Sequence, residues 1–177
     1  MAKQKPKTDA EVKAGVGVIV CKGHKILVGE RKGSHGAGVN AFPGGHLDAV
    51  DCRNGVLVGR TGLWVCGERE VKEETGMTVQ CFSPDKYRES LFTTSDILSE
   101  DGSKIYMTSY VVADYLHGGE QITKGDKEMV RPEEPDKCKM WHWVTIDELI
   151  DLIGTDKQRQ WIPVNRVVKY LKDMWRI

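Results

Sequence analysis

The sequence contains no apolar run long enough to cross a membrane, and it has no excess of charge of either sign. A membrane-spanning helix needs about 20 consecutive apolar residues, and every apolar stretch in these 177 residues is much shorter. The first residues also lack the apolar segment of a secretory signal, so we expect neither membrane insertion nor export. The 26 basic and 26 acidic residues give a formal net charge of zero. A nucleic-acid polymer is therefore not an expected partner.

Cysteine is scarce and does not occur at metal-binding spacing. The five cysteines form no Cys-x-x-Cys pair. An odd number in a chain of this length predicts free thiols rather than a disulfide framework, and with it a reducing, cytoplasmic location. Hydrophobic residues make up 40% of the chain and charged residues 29%, which is typical of one globular domain with a sizeable core. We assign residues 1–12 to a flexible tail and residues 13–177 to a single domain.

The most informative segment is Arg69-Glu70-Val71-Lys72-Glu73-Glu74-Thr75-Gly76-Met77. Glu70, Glu73 and Glu74 have the i, i+3, i+4 spacing that places side chains on one face of a helix. Like charges at this spacing repel each other, which predicts a bound cation, although a solvated acidic face is the alternative. Oxygen ligands favour a hard ion such as Mg²⁺ or Mn²⁺, which also binds substrate phosphates. Arg69 lies four residues before Glu73, and we expect it to position the carboxylates through an ion pair.

The remaining segments alternate between strand and helix signals. β-branched and glycine-bounded runs predict a hairpin over 15–28 and further strands at 78–82, 87–94, 105–116 and 141–144. The strands at 87–94 and 105–116 are expected to pair. Helices are predicted at 146–153 and 163–174, besides the acidic helix, which should begin near residue 62 and end at Gly76. This order predicts an α+β protein, an α/β/α sandwich with a mostly antiparallel sheet.

Residues 69–77, with the upstream turn Pro43-Gly44-Gly45, resemble the Nudix box, G-x5-E-x7-R-E-U-x-E-E-x-G-U, in which U is apolar. Gly45 matches the leading glycine, and Val71 and Met77 match the apolar positions. The resemblance implies the Nudix fold, a central mixed sheet flanked by helices. It also implies a hydrolase that cleaves a nucleoside diphosphate linked to another moiety, using Mg²⁺ or Mn²⁺ held by the box helix.

One part of the box does not match. Gly45 and Arg69 are 24 positions apart, against 14 in the pattern, and Asp51 and Thr61 stand where a glutamate is expected. We predict that residues 49–61 form an inserted surface loop. Its apolar residues 56–58 would pack on the domain or on a second subunit, as in a homodimer. Asp48, Asp51 or no residue at all would replace the first box glutamate.

The resemblance implies roles for individual carboxylates. Glu70 and Glu74 would bind the metal, with the Gly44 carbonyl as a further ligand. Glu73 would bind metal or deprotonate the attacking water, so the catalytic candidates are Glu73, Glu70 and Arg69. In related pyrophosphatases an acidic residue ahead of the last strand approaches the metal, and Glu134 is the matching position.

Five residues are candidates for substrate binding. The glycine-rich loop after Arg31 offers backbone amides and cationic side chains for a diphosphate, although it could be a plain connector. Arg31 and His35 match positions that bind substrate in some Nudix members. Phe42 and Gly45 belong to a segment that resembles nucleoside triphosphate pyrophosphatases. Trp141 would contact the base, or else belong to the core.

The resemblance is nearest to pyrophosphatases of the 8-oxo-dGTP diphosphatase type. It predicts hydrolysis of a nucleoside triphosphate to nucleoside monophosphate and pyrophosphate. ADP-ribose, nucleotide sugars and dinucleoside polyphosphates are alternative substrates. A catalytically weak nucleotide-binding sensor is an alternative of another class, because the first box glutamate is missing.

Overall fold

The computed structural model describes residues 11–32, 37–52, 59–81, 91–98, 103–152, 154 and 164–175. Within these ranges the chain forms ten strands, three α-helices and one 3-10 turn at Ala49–Asp51. The strands are β1 (Glu11–Lys22), β2 (Lys25–Arg31), β3 (Asn40–Ala41), β4 (Gly44–His46), β5 (Met77–Cys81), β6 (Leu91–Leu98), β7 (Lys104–Gly118), β8 (Gln121–Lys124), β9 (Lys127–Val130) and β10 (Cys138–Val144). The helices are α1 (Gly59–Thr75), α2 (Ile146–Leu152) and α3 (Val164–Trp175).

All ten strands belong to one mixed sheet. The main order is β5-β7-β1-β2-β10-β9-β8, with β3 beside β2, β4 beside β1 and β6 beside β7. β1 and β7 run parallel, and the long crossover that a parallel pair requires contains α1. The pairing of β6 with β7 confirms the predicted partnership, while the turn between them falls outside the described residues. In the described part of the chain, no helix is long and apolar enough to span a membrane.

The two faces of the sheet carry separate core clusters, because successive side chains of a strand point to opposite sides. On one face the core includes Val16, Val18 and Val20 of β1 with Cys66 and Val71 of α1. The opposite face packs against α2 and α3, and its buried members include Ile19, Ile26, Leu149, Val167 and Leu171. The helices therefore cover both faces of the sheet, which confirms the predicted α/β/α sandwich.

The acidic helix α1 begins earlier than the sequence predicted. It starts at Gly59 rather than near residue 62, and a 3-10 turn occupies residues 49–51 of the segment that we expected to be irregular. A glycine in a helix costs only about 1 kcal/mol relative to alanine, and packing can outweigh this cost. Gly67 shows the benefit, since it lies against Val18 and Val111 of the sheet. The helix ends at Thr75, one residue before the predicted end at Gly76, because Gly76 adopts φ 68°. Residues 53–58, with the apolar 56–58, fall outside the described ranges.

Some strands begin or end at other residues than the sequence predicted, and some were not predicted at all. β1 begins at Glu11, inside the predicted tail. β8, β9 and the short β3 and β4 were not predicted. β4 occupies Gly44–His46, where two glycines indicated a break in regular structure. Pairing with β1, in which Gly45 lies opposite Val16, makes this segment a strand.

Candidate active site

The three glutamates of the acidic motif in α1 divide into a buried pair and an exposed member. Glu70 and Glu74 are 7% and 9% exposed, whereas the side chain of Glu73 is 54% exposed. Glu70 and Glu74 are four residues apart and differ by about 40° around the helix axis. Glu73 and Glu74 are consecutive and differ by about 100°. The predicted common face therefore describes Glu70 and Glu74, and Glu73 is turned toward solvent.

The short strand β4 lies directly against the buried pair. The Gly44 N–H donates to Glu74 Oε2 at 3.1 Å. A Cβ atom at Gly45 would overlap the Glu70 carboxylate, and one at Gly44 would overlap the Val16 carbonyl. The two glycines are thus required because β4 is confined between β1 and α1. Gly45 acts here by making room for Glu70.

Arg69 connects most of the acidic groups. Its Nε and Nη2 donate to the two carboxylate oxygens of Asp51 at 3.0 and 2.9 Å. Its Nη1 donates to Glu70 Oε1 at 2.9 Å and to Glu73 Oε2 at 3.0 Å. Nη2 also donates to the His46 carbonyl at 3.2 Å. The predicted ion pair between Arg69 and Glu73 is present, and Glu70 and Asp51 share the same guanidinium.

Asp51 is the residue that the segment before α1 contributes to the site. Its side chain is fully buried, at 0% exposure, and it also accepts a hydrogen bond from the Asp48 N–H at 2.8 Å. The hydrogen bond from Arg69 lowers the pKa of Asp51. The side chain of Asp48 is 65% exposed and lies 3.7 Å from Arg69. Of the alternatives for the first box glutamate, Asp51 makes the buried contact with the box arginine.

Burial makes the paired carboxylates difficult to ionise together. Removal from water raises the pKa of Glu74 to about 7; the Gly44 N–H opposes this rise and the charge of Glu70 adds to it. Burial also raises the pKa of Glu70, against the opposing effect of Arg69. Two neighbouring carboxylates in such surroundings are stabilised by a proton or by a cation between them.

The donor atoms of this pair fit a hard divalent cation. Glu70 and Glu74 offer carboxylate oxygens next to the backbone of β4, and Mg²⁺ and Mn²⁺ prefer oxygen ligands. Within the part of the chain that the structure describes, no three acidic, histidine or cysteine side chains are already gathered around one metal position. The ion pairs with Arg69 account for this arrangement, because they draw Glu70 and Glu73 toward the guanidinium.

The loop before β10 brings Glu134 and a lysine to the same site. The Glu133 N–H donates to the Glu74 carbonyl at 2.9 Å, which fixes the loop to the end of α1. The charge of Glu134 adds to the raised pKa of Glu74, after burial and the charge of Glu70. Lys137 Nζ lies 2.8 Å from Glu134 Oε2. The sequence analysis did not single out Lys137, although its i+3 spacing from Glu134 was a usable signal.

Two of the predicted substrate residues belong to the core instead. Phe42 is 7% exposed and packs edge-to-face against Tyr110, with ring centroids 6.2 Å apart. Trp141 is 4% exposed and lies over Gly29, where a Cβ atom would overlap its ring. Burial of such large rings is a main source of core stability. Phe42 and Trp141 therefore belong to the core, the alternative left open for Trp141, and their contact with a substrate stays a prediction.

Two more of the five predicted substrate residues, Arg31 and His35, come in the sequence at the end of β2 and after it. Arg31 is the last residue of β2 and pairs with Cys138 of β10. The backbone N–H of the next residue, Lys32, donates to the Lys137 carbonyl at 2.8 Å. Arg31 thus lies at the end of β2, beside the start of β10, where the loop that carries Glu134 ends. His35 falls outside the described residues.

The metal-free protein is expected to be more stable at pH 5 than at pH 8 through Glu74. Its pKa is about 7 in the folded chain, against a usual 4.5, so the folded protein retains a proton that the unfolded chain releases. The stabilisation is complete below pH 4.5 and is lost as the pH rises through 7. The raised pKa of Glu74 corresponds to a contribution on the order of 3 kcal/mol to the free energy of unfolding.

Urea unfolding in EDTA at both pH values measures this effect, with Glu74→Gln as the control. The half-buried His142, whose pKa is lowered by desolvation, changes stability in the opposite direction, but it does so equally in both proteins. The difference between them therefore isolates Glu74. An identical pH dependence in the wild type and the variant would contradict the assignment.

The chain matches known proteins over most of its length. A family model described as the NUDIX domain matches residues 12–165. Two solved structures are a MutT Nudix hydrolase from Burkholderia pseudomallei (20% identity, 77% of this chain and 85% of that chain, TM-score 0.54) and a Nudix hydrolase from Nitrosomonas europaea (17%, 89% and 90%, 0.59). A third is a UDP-X diphosphatase (18%, 97% and 67%, 0.57). These structures share the fold, and the family match establishes that the chain belongs to the Nudix family, hydrolases that act on phosphoanhydride bonds.

Proposed function

We propose that this protein is a divalent-metal-dependent nucleoside triphosphate pyrophosphatase that releases nucleoside monophosphate and pyrophosphate. Its family acts on small nucleotide substrates and typically uses Mg²⁺ or Mn²⁺. The observation that carries the proposal is the buried pair Glu70 and Glu74, held against the backbone of β4. The charge of Lys137 acts on this pair, and Arg31 pairs with Cys138 at the start of β10; both residues offer positive charge to a phosphate chain.

The buried carboxylates are assigned to metal binding, and the exposed Glu73 is assigned to activation of water. Glu70 and Glu74 hold the cation, with the Gly44 carbonyl and Glu134 as further oxygen donors. The cation, when bound, neutralises phosphate charge and makes a water molecule more acidic. Glu73 is exposed, and only its Oε2 is engaged by Arg69. Its Oε1 is therefore available to orient a water molecule and accept its proton.

Arg69 holds the acidic residues in place, and Asp51 holds Arg69. The guanidinium bridges Glu70, Glu73 and Asp51, so the orientation of both α1 carboxylates depends on it. A weak, non-catalytic sensor was an alternative because a box glutamate is missing. The buried contact of Asp51 with Arg69 argues against that alternative.

Hydrolysis of a diphosphate-linked nucleotide, such as a nucleotide sugar or ADP-ribose, is the second candidate. Two observations favour it. Phe42 and Trp141, which suggested contact with the base of a triphosphate, lie in the core. A protein named UDP-X diphosphatase is similar in fold over 97% of this chain.

Product analysis in ¹⁸O water distinguishes the two candidates. We expect deoxynucleoside triphosphates with Mg²⁺ to yield nucleoside monophosphate and pyrophosphate, with no turnover in EDTA. Attack at the phosphorus nearer the nucleoside would label the monophosphate, and attack at the next phosphorus would label pyrophosphate. Release of nucleoside diphosphate and free phosphate would contradict the proposal. Faster turnover of ADP-ribose or a UDP-sugar would favour the second candidate.

A further inference from the structure

We propose that Lys137 is a substrate-binding residue that contacts the phosphate chain beside Glu70 and Glu74. The inference deepens the proposed function, since it rests on metal-dependent cleavage of a phosphoanhydride at this site. It does not depend on which nucleoside the substrate carries. It adds a residue to the site from a loop that is distant in sequence from the Nudix box.

The backbone around Lys137 is fixed on two sides. The Glu133 N–H donates to the Glu74 carbonyl at 2.9 Å, which ties the loop to the last turn of α1. The Lys137 carbonyl accepts a hydrogen bond from the Lys32 N–H at 2.8 Å, which ties it to the end of β2. The Lys137 N–H itself donates to the Glu134 carbonyl at 3.0 Å. The loop that carries Lys137 is therefore held between the last turn of α1 and the basic end of β2.

The charge of Lys137 acts on the carboxylates of the site. Its ammonium lies 2.8 Å from Glu134 Oε2, and it opposes the rise in the pKa of both Glu70 and Glu74. The ion pair with Glu134, together with the charges of Glu74 and Glu70, raises the pKa of Lys137. The ammonium thus partly balances the buried carboxylates in the metal-free protein.

Binding of a divalent cation changes this balance. The cation would take over the neutralisation of Glu70 and Glu74, and it would repel the ammonium as a like charge. Phosphate oxygens are the anions that accompany the cation, and a lysine ammonium with three donors binds them readily. The side chain of Lys137 is 61% exposed, so it can turn from Glu134 toward a bound phosphate.

A purely structural role does not explain this lysine. An ion pair of a side chain as exposed as Lys137, at 61%, contributes little to stability, although the Glu134 Oε2 that it faces is buried. Lys139 offers a matched comparison two residues further on. Its ammonium lies 3.3 Å from Glu30 Oε2, and its side chain is 63% exposed. The two lysines share exposure and ion pairing, but the charge of Lys137 acts on Glu70 and Glu74.

Calorimetric titration with methylenediphosphonate in the presence of Mg²⁺ tests the inference. This diphosphate analogue carries no nucleoside and is not hydrolysed. We expect Lys137→Met to raise its Kd about tenfold or more, which corresponds to about 1.4 kcal/mol. The Kd of Lys139→Met should stay within about twofold of that of the wild type. Lys137→Arg keeps the charge, so its Kd should rise less than that of Lys137→Met. A Kd for Lys137→Met within about twofold of that for Lys139→Met would overturn the inference.

Binding of Mn²⁺ without any phosphate, followed by electron paramagnetic resonance, separates direct from indirect action. We expect Lys137→Met to bind Mn²⁺ at least as tightly as the wild type, because a like charge has been removed. If Lys137→Met weakened Mn²⁺ binding by the same factor as it weakened methylenediphosphonate binding, Lys137 would act only by positioning Glu134. That result would overturn the inference. A wrong triphosphate assignment would appear in the hydrolysis products and leave these affinities unchanged.

Discussion

Replacement of Glu70 by glutamine is expected to lower kcat for Mg²⁺-dependent hydrolysis at least about 10²-fold, the usual scale for loss of a charge-stabilising group. Glu70 is 7% exposed and receives a hydrogen bond from Arg69 at 2.9 Å. Glutamine keeps the size of the side chain but removes its negative charge. Its amide carbonyl oxygen can still accept the hydrogen bond from Arg69, so the substitution tests the charge. Initial rates with a nucleotide panel measure the effect.

Two further variants make this result specific. Glu120→Gln removes an exposed carboxylate that pairs with Arg131 at 3.0 Å, and it should retain the wild-type rate. Glu73→Gln should also lower kcat about 10²-fold, while Mn²⁺ affinity falls less than in Glu70→Gln, because Glu73 is exposed. A wild-type rate in Glu70→Gln would show that the carboxylates of α1 are not the catalytic site.

Replacement of Asp51 by asparagine is expected to lower the free energy of unfolding by about 2 to 3 kcal/mol at pH 7. Removal of one partner from a buried ion pair typically costs about 3–5 kcal/mol, and the side chain of Arg69 remains 21% exposed, which reduces the loss. The change weakens two hydrogen bonds from Arg69 and one from the Asp48 N–H. Urea unfolding measures the difference.

Asp48→Asn is the matched control for this prediction. Asp48 is also near Arg69, but at 3.7 Å and with 65% of its side chain exposed, so its loss should change stability by less than about 1 kcal/mol. The pKa of Asp51 is lowered in the folded protein. Its stabilisation is therefore present above the usual pKa of 3.8 and declines as the pH falls. Equal stability of the two variants at pH 7 would contradict the buried role of Asp51.

The box helix and the general fold could be predicted because they depend on local patterns. The spacing of Glu70 and Glu74 follows from the helical period, and the stop at Gly76 follows from its positive φ. The strands β1, β2, β7 and β10 follow from β-branched and aromatic runs. β4 did not, because two glycines carry no strand signal, and the segment becomes a strand only by pairing with β1.

By itself, the sequence determined the family, the position of the acidic helix and the residue types available for binding a cation. The tertiary structure decided which of them meet. Asp51 reaches Arg69 across 18 positions of the chain, and Gly44 reaches Glu74 across 30. It also buried Phe42 and Trp141 in the core and brought Lys137 to the carboxylates. Periodicity describes neighbours within one element, whereas burial and electrostatic contact depend on how distant elements pack together.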